Sequence, residues 1–187
     1  MNKEQKLEKH KSLSKWGVNN WFNYPGLYDR TTTIAVEGDF CEIGCWCGIS
    51  SAYLMIQNPD RKVICVDHFK GNELNQGEQT TIKKNNLVLE DEFDSNMSAL
   101  ELTPTKLVGD TSEMVHQIPD KSLAFLFVDA GHLYDEVKRD IENYLPKMKE
   151  GGVIAFHDYD SPGVRKAVDE TFDKVEPMGP SSAWVQL

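Results

Sequence analysis

An α/β fold, with a doubly wound and mostly parallel sheet between layers of helices, is predicted by two patterns and by their order. Five short apolar runs each close on a carboxylate: Phe40-Cys41-Glu42, Val63 to Asp67, Leu107-Val108-Gly109-Asp110, Leu123 to Asp129 and Val153 to Asp158. Segments of helical period lie between them, the alternation that βαβ units produce when a parallel sheet is buried on both faces. Parallel strands bring their carboxyl ends to one edge, where open sheets of this kind bind ligands. Acids gathered along that edge suit a cationic ligand or a metal ion.

Residues 3 to 16 read as a charged helix leading into an aromatic stretch, Trp16, Trp21, Phe22, Tyr24 and Tyr28 around Pro25-Gly26. Residues 1–37 are expected to form a helical and aromatic cap on a domain running from 38 to 187. The rings either cover one end of the sheet or line a substrate pocket or a homo-oligomer contact. Between Phe69 and Lys106 the chain is longer than a crossover needs. Gly71 to Asn86 is polar and pattern-poor, a lid or a mobile surface loop. Leu89, Phe93, Met97 and Leu100 predict a helix over 89 to 100.

Tyr134, Val137, Ile141, Leu145 and Met148 recur at steps of three and four and predict a helix over 133 to 149, stopped by Gly151-Gly152. Ser161-Pro162 opens the next helix, with Ser161 as N-cap and Pro162 at the first helical position. Its stripe is Val164, Ala167, Val168, Phe172 and Val175, and Ser182 to Leu187 reads as a final strand.

Length and composition fit one globular domain: 187 residues, 40% of them hydrophobic, give a sizeable core. The formal charge of −10 opposes the phosphate-neutralising surface that nucleic-acid binding relies on. No run approaches the ~20 apolar residues of a membrane span, and the start lacks the apolar core of a signal peptide. A soluble, cytoplasmic protein without membrane or nucleic-acid partners is expected. Cys41, Cys45, Cys47 and Cys65 sit in or beside predicted central strands and read as buried small hydrophobes, not as a disulfide framework or metal site.

Glu42-Ile43-Gly44-Cys45-Trp46-Cys47-Gly48-Ile49-Ser50 lies where the first strand turns into a helix, and its two glycines permit close approach of backbone to a ligand. A dinucleotide turn has the form G-x-G-x-x-G, with the helix N-terminus open to a pyrophosphate. Here Trp46 takes the place of the second glycine, and Glu42 suits an ammonium or sulfonium better than a phosphate. Asp67 closes the second strand about 20 positions after the turn, where an acid reaches ribose hydroxyls in nucleotide-binding α/β folds. Asp110, Thr111 and Ser112 offer a carboxylate and hydroxyls to an adenine, or equally a cap for the helix carrying Met114 and Val115.

Asp129 and His132 are expected to begin the helix after the fourth strand, and His157 and Asp158 to end the fifth. Two acids and two imidazoles then share adjacent strand ends. Plain structural roles also fit them: Asp129 as a helix cap, His157 as a satisfied histidine, and Asp158 to Pro162 as a turn.

In their order and spacing, Glu42-Ile43-Gly44-x-x-x-Gly48, Val66-Asp67-His68-Phe69, Gly109 to Ser112, Phe127 to Tyr134 and Gly151 to Asp158 resemble class I S-adenosylmethionine-dependent methyltransferases. The narrower likeness is to the small-domain group related to macrolide-sugar O-methyltransferases and cephalosporin-hydroxylase-like proteins. It runs from about Gly38 to the C-terminus. Trp46 departs from the broad family's middle glycine, a departure the narrower group tolerates.

The resemblance implies a Rossmann-like sheet with a reversed last strand and S-adenosyl-L-methionine as cofactor. Gly44 and Gly48 would border its methionine portion, with Glu42 close by, Asp67 on the ribose, and Asp110 and Thr111 facing the adenine. By the same likeness Asp129 and Asp158 are oxygen ligands of Mg2+, and Asp129 shares catalysis with His132. By that likeness the general base would be His132, whose unperturbed pKa near ~6.5 lets it accept a proton at neutral pH. His157 stands where metal-dependent relatives carry a carboxylate or amide, which favours another divalent metal that accepts imidazole. The implied activity is methylation of a hydroxyl on a small metabolite such as a sugar. A nicotinamide-dependent oxidoreductase and a non-catalytic S-adenosylmethionine-binding protein are the rival readings.

Overall fold

Five strands run parallel through the middle of the protein: β1 (Asp39–Ile43), β2 (Val63–Asp67), β3 (Thr105–Val108), β4 (Leu123–Val128) and β5 (Met148–Phe156). Two more, β6 (Glu176–Met178) and β7 (Ser182–Gln186), complete the order β3-β2-β1-β4-β5-β7-β6, with β7 antiparallel to both β5 and β6. The reversed last strand is thus present, preceded by a short strand that the sequence did not reveal. The computed structural model describes residues 1–15, 21–72 and 75–187. Trp16 and the end of the charged first helix's expected span lie outside the described residues, as do two residues of the polar segment.

Strand alternation splits the apolar side chains between two layers. Phe40, Cys65, Phe125, Phe127, Val153 and Ala155 face one cluster with Tyr28, Leu54, Phe93 and Met97. Cys41, Ile43, Ile64, Val66, Leu126 and Val128 face the other with Val137, Ile141, Val164 and Val168. The first layer holds α2 (Pro25–Ile34), α3 (Ile49–Gln57) and α5 (Leu89–Ala99), with α1 (Lys3–Leu13) outside α3; the second holds α7 (Tyr134–Tyr144) and α8 (Pro162–Thr171). All four cysteines are free and buried, as small hydrophobes. No helix among the described residues is long and apolar enough to cross a membrane.

Several boundaries differ from the sequence reading, each for a local reason. α7 stops at Tyr144, because Leu145–Lys147 tightens into a 3-10 turn around Pro146, which has no N–H to continue the ladder. Gly151-Gly152 therefore does not end a helix. It lies inside β5, where Leu123 faces Met148 but Phe125 faces Val153, so β5 bulges by several residues. Asp129 and His132 precede α7 instead of beginning it, and His157 and Asp158 follow β5. The polar segment carries a helix, α4 (Gln76–Asn85), capped by Asn75, whose side chain accepts from the Gly77 and Glu78 N–H groups. No residue of α4 is buried, so it has no apolar stripe to betray it.

Candidate functional site

Strand order reverses between β1 and β4, and the loops leaving these strands open a cleft of about 850 Å³ at that switch point. The size is near the top of the ~300–1,000 Å³ range of small-molecule sites and leaves room for two ligands side by side. Among the described residues, seven carboxylates line it, Asp67, Glu78, Asp110, Asp129, Glu136, Asp140 and Asp158, against Lys70 and Arg139. A cleft of that balance favours a cation over a diphosphate.

The turn after β1 forms one wall. Gly44 has φ +84, and a Cβ there would stand 2.2 Å from the Asp129 carbonyl oxygen, so glycine is required for the turn to lie against the β4 loop. Trp46 also adopts a left-handed φ of 49; its backbone N–H donates to Asp67 Oδ2 at 2.8 Å, while Phe69 N–H donates to Oδ1 at 2.6 Å. Asp67 thereby ties the first and second strand ends together. Burial holds its carboxyl above the ordinary range, against the pull of those two bonds. The Trp46 indole stacks on Trp21, ring centres 5.0 Å apart.

Of the six residues expected around the cofactor, Gly44, Asp67, Asp110 and Thr111 line the cleft, while Glu42 and Gly48 lie behind it. Gly48 is the N-cap of α3 in left-handed geometry, packed toward Phe93 and Met97. Glu42 is fully buried beneath the turn, accepting from Ser50 Oγ with the Ser51 and Tyr28 hydroxyls beside it. Burial pushes its carboxyl up to about 8 against those bonds.

At the far end, Asp110 Oδ1 accepts from Ser112 N–H at 2.9 Å and caps α6 (Thr111–Met114). Those Ser112 bonds hold Asp110 below the usual carboxylate range. Thr111 Oγ1 donates to Asp140 Oδ1 at 2.6 Å, and Tyr144 donates to the Thr111 carbonyl at 3.2 Å. Asp140 was missed in the sequence. Its signal was an acid in register with the α7 stripe of Val137, Ile141 and Tyr144, where burial pushes its carboxyl up to about 6.

Asp129, His132 and Asp158 gather at the near end, each half-buried, with their ligand-type atoms within 4.8 Å of one another. His132 Nε2 is 3.0 Å from Asp158 Oδ2. His157, expected as a ligand, stands outside that group: its Nδ1 faces Asp129 Oδ1 at 3.1 Å and Asp158 Oδ2 at 3.3 Å. Burial alone would lower the His157 imidazole, but the two carboxylates raise it to about 10. His132 is raised by its bond to Asp158, and Asp158 is held well below the usual range by both imidazoles despite its burial. Oxygen and imidazole donors converging this closely fit a divalent cation.

Two segments without a recognised motif complete the walls. Trp21, Phe22 and Tyr24 from the aromatic stretch line the cleft, whereas Tyr28 belongs to the core. Asn72, Asn75 and Glu78 come from the polar segment, Glu78 accepting from the Asn72 N–H at 2.7 Å and the Asn75 side chain at 2.9 Å.

Comparison with known proteins places this arrangement. A family model described as "Methyltransferase domain" matches residues 41–159. The uncharacterised protein y4gI of Sinorhizobium fredii is 43% identical over 47 residues, which are 25% of this chain and 5% of that protein. The chain thus spans a small fraction of the curated relative it matches. The O-methyltransferase NovP superposes with a TM-score of 0.67 at 24% identity, over 87% of this chain and 78% of its own. Calicheamicin methyltransferase CalS11 gives 0.64 at 18% identity, over 97% and 92%. MycE, from the mycinamycin pathway and in complex with Mg, SAH and mycinamycin VI, gives 0.58 at 14%, over 99% and 54%. These likenesses establish the Rossmann-like fold, and the family match spans the strands and loops that build the cleft: the chain belongs to the methyltransferase-domain family, within the class I S-adenosylmethionine-dependent methyltransferases.

Proposed function

We propose that this protein transfers a methyl group from S-adenosylmethionine to a hydroxyl of a small metabolite, a sugar or sugar-bearing molecule being the first class to test. One observation carries the reading: Gly44 of the donor-side turn lies directly against the backbone of Asp129, which belongs to the acid and histidine cluster. Methyl transfer needs donor carbon and acceptor oxygen within a near-attack distance, and two subsites sharing a wall meet that need. The TDP-rhamnose 3'-O-methyltransferase CalS11 supports the sugar class.

In this reading Gly44 and the neighbouring turn border the methionine portion, Asp67 takes the ribose, and Asp110 and Thr111 face the adenine. The negative cleft favours the ammonium and sulfonium of the cofactor, which supplies the electrophilic methyl. Glu42 and Gly48 support the turn from behind. His132 acts as general base: with Nε2–H donating to Asp158, the imidazole lone pair is on Nδ1, the atom that takes the acceptor proton. Asp129 and Asp158 would hold a divalent ion, which would polarise the acceptor hydroxyl; MycE carries Mg. His157 orients both carboxylates through Nδ1.

The test is release of S-adenosylhomocysteine from pools of hydroxylated metabolites and nucleotide sugars, with added divalent metal and with chelator. Calorimetric titration with S-adenosylmethionine and NAD accompanies it. Binding of NAD in preference to S-adenosylmethionine would overturn the reading.

A further inference from the structure

The family match begins at Cys41, yet one side chain from the preceding segment reaches the reacting end of the cleft. Tyr24 is the N-cap residue of α2, with Pro25 following at the first helical position. Its hydroxyl donates to Asp129 Oδ2 at 3.1 Å, whereas His157 Nδ1 meets the other oxygen, Oδ1. The Tyr24 ring is held by its neighbours: its centroid is 4.4 Å from the His157 ring, 4.9 Å from Phe22 and 5.3 Å from Phe127.

We propose that Tyr24 is a positioning residue for Asp129, holding the carboxylate oxygen that His157 does not meet. A carboxylate bonded at one oxygen only can rotate about its terminal torsion; one bonded at both presents a fixed edge to a cation. The packed ring makes that bond at little entropic cost, because the phenol has no freedom left to lose. The N-terminal segment therefore supplies a working part of the site, beyond covering the sheet. This inference rests on the reading of Asp129 as a cation-holding residue.

The experiment titrates Mn2+ into the whole protein, following the free ion by electron paramagnetic resonance, for wild type and Tyr24→Phe. S-adenosylhomocysteine affinity and melting temperature are measured beside it. The expected result is Mn2+ affinity reduced about tenfold or more, the range for residues that orient a metal ligand, with S-adenosylhomocysteine affinity within about twofold and an unchanged melting temperature. Mn2+ affinity within about twofold of wild type overturns the proposal, and so does a loss accompanied by equal losses of cofactor affinity and melting temperature, which marks a purely structural residue. Wild type that binds S-adenosylhomocysteine but no Mn2+ overturns the metal assignment together with this proposal. Wild type that binds neither overturns the methyltransferase reading itself.

Discussion

His132 Nε2 lies 3.0 Å from Asp158 Oδ2, so the His132 imidazole of the loop after β4 meets the turn after β5, beside the second link between them from His157 to Asp129. That contact fixes the ring and leaves one nitrogen for proton transfer. His132→Ala is expected to lower turnover by ~10²–10⁴-fold, the usual contribution of a positioned base. Calorimetry should find S-adenosylhomocysteine affinity nearly unchanged. Undiminished turnover would remove His132 from the role of base.

Gly44→Ala is expected to damage fold and site together. The left-handed backbone alone costs a non-glycine residue ~1–2 kcal/mol, and the added carbon would collide with the Asp129 carbonyl, a backbone atom with little room to yield. Urea unfolding should show a lower midpoint, and calorimetry a loss of S-adenosylhomocysteine binding. A variant matching wild type in both measurements would refute the close packing of turn against β4 loop.

Glu42 gives the stability a pH dependence whose sign follows from its burial. The carboxyl holds its proton up to about 8 in the folded protein, whereas the unfolded chain releases it near ~4.3. Between those values the folded state binds more protons, so the contribution is complete below the lower value and is lost as pH rises through about 8. The slope approaches ~1.4 kcal/mol per pH unit in that window. Glu42→Gln keeps the shape and removes the ionisation; its stability should fall less between pH ~5 and ~8 than wild type. Parallel stability curves for the two proteins would contradict the assignment.

Asp67→Asn tests the tie between the first two strand ends. Trp46 and Phe69 each donate a backbone N–H to a separate carboxylate oxygen, and an amide offers only one acceptor. One N–H is left unsatisfied, at a cost of about 1–3 kcal/mol. Lower stability in urea and weaker S-adenosylhomocysteine binding are expected. Full retention of both would mean that Asp67 neither braces the turn nor touches the ribose.

Much of the architecture was legible because strand periodicity and strand-end acids are local patterns. The runs ending at Asp67 and Asp129 are the observed β2 and β4, and the 89 to 100 stripe is α5. What escaped has no local signature. α4 buries no side chain, so no apolar period marks it, and β6 is three residues long. Gly151-Gly152 has the composition of a helix stop, but Pro146 had already ended α7 and the glycines were taken up by a bulge. In the site, motif order located Gly44, Asp67, Asp129, His132 and Asp158, all on the cleft wall. Depth was not readable: Glu42 sits in the same motif as Gly44, yet strand alternation and the Ser50 bond place it beneath the turn. Tyr24 and Asp140 join the cleft only through tertiary packing, one from before the matched family region and one from the buried face of a helix.

Trp46 has one more consequence. In dinucleotide-binding turns the middle glycine is small so that a diphosphate can press against the main chain. Here an indole, backed by a second indole from Trp21, takes that volume and presents a broad apolar face instead. That bulk is expected to disfavour nicotinamide dinucleotides, separately from the unfavourable charge, and trimming both rings is the change expected to be needed before NAD could begin to compete.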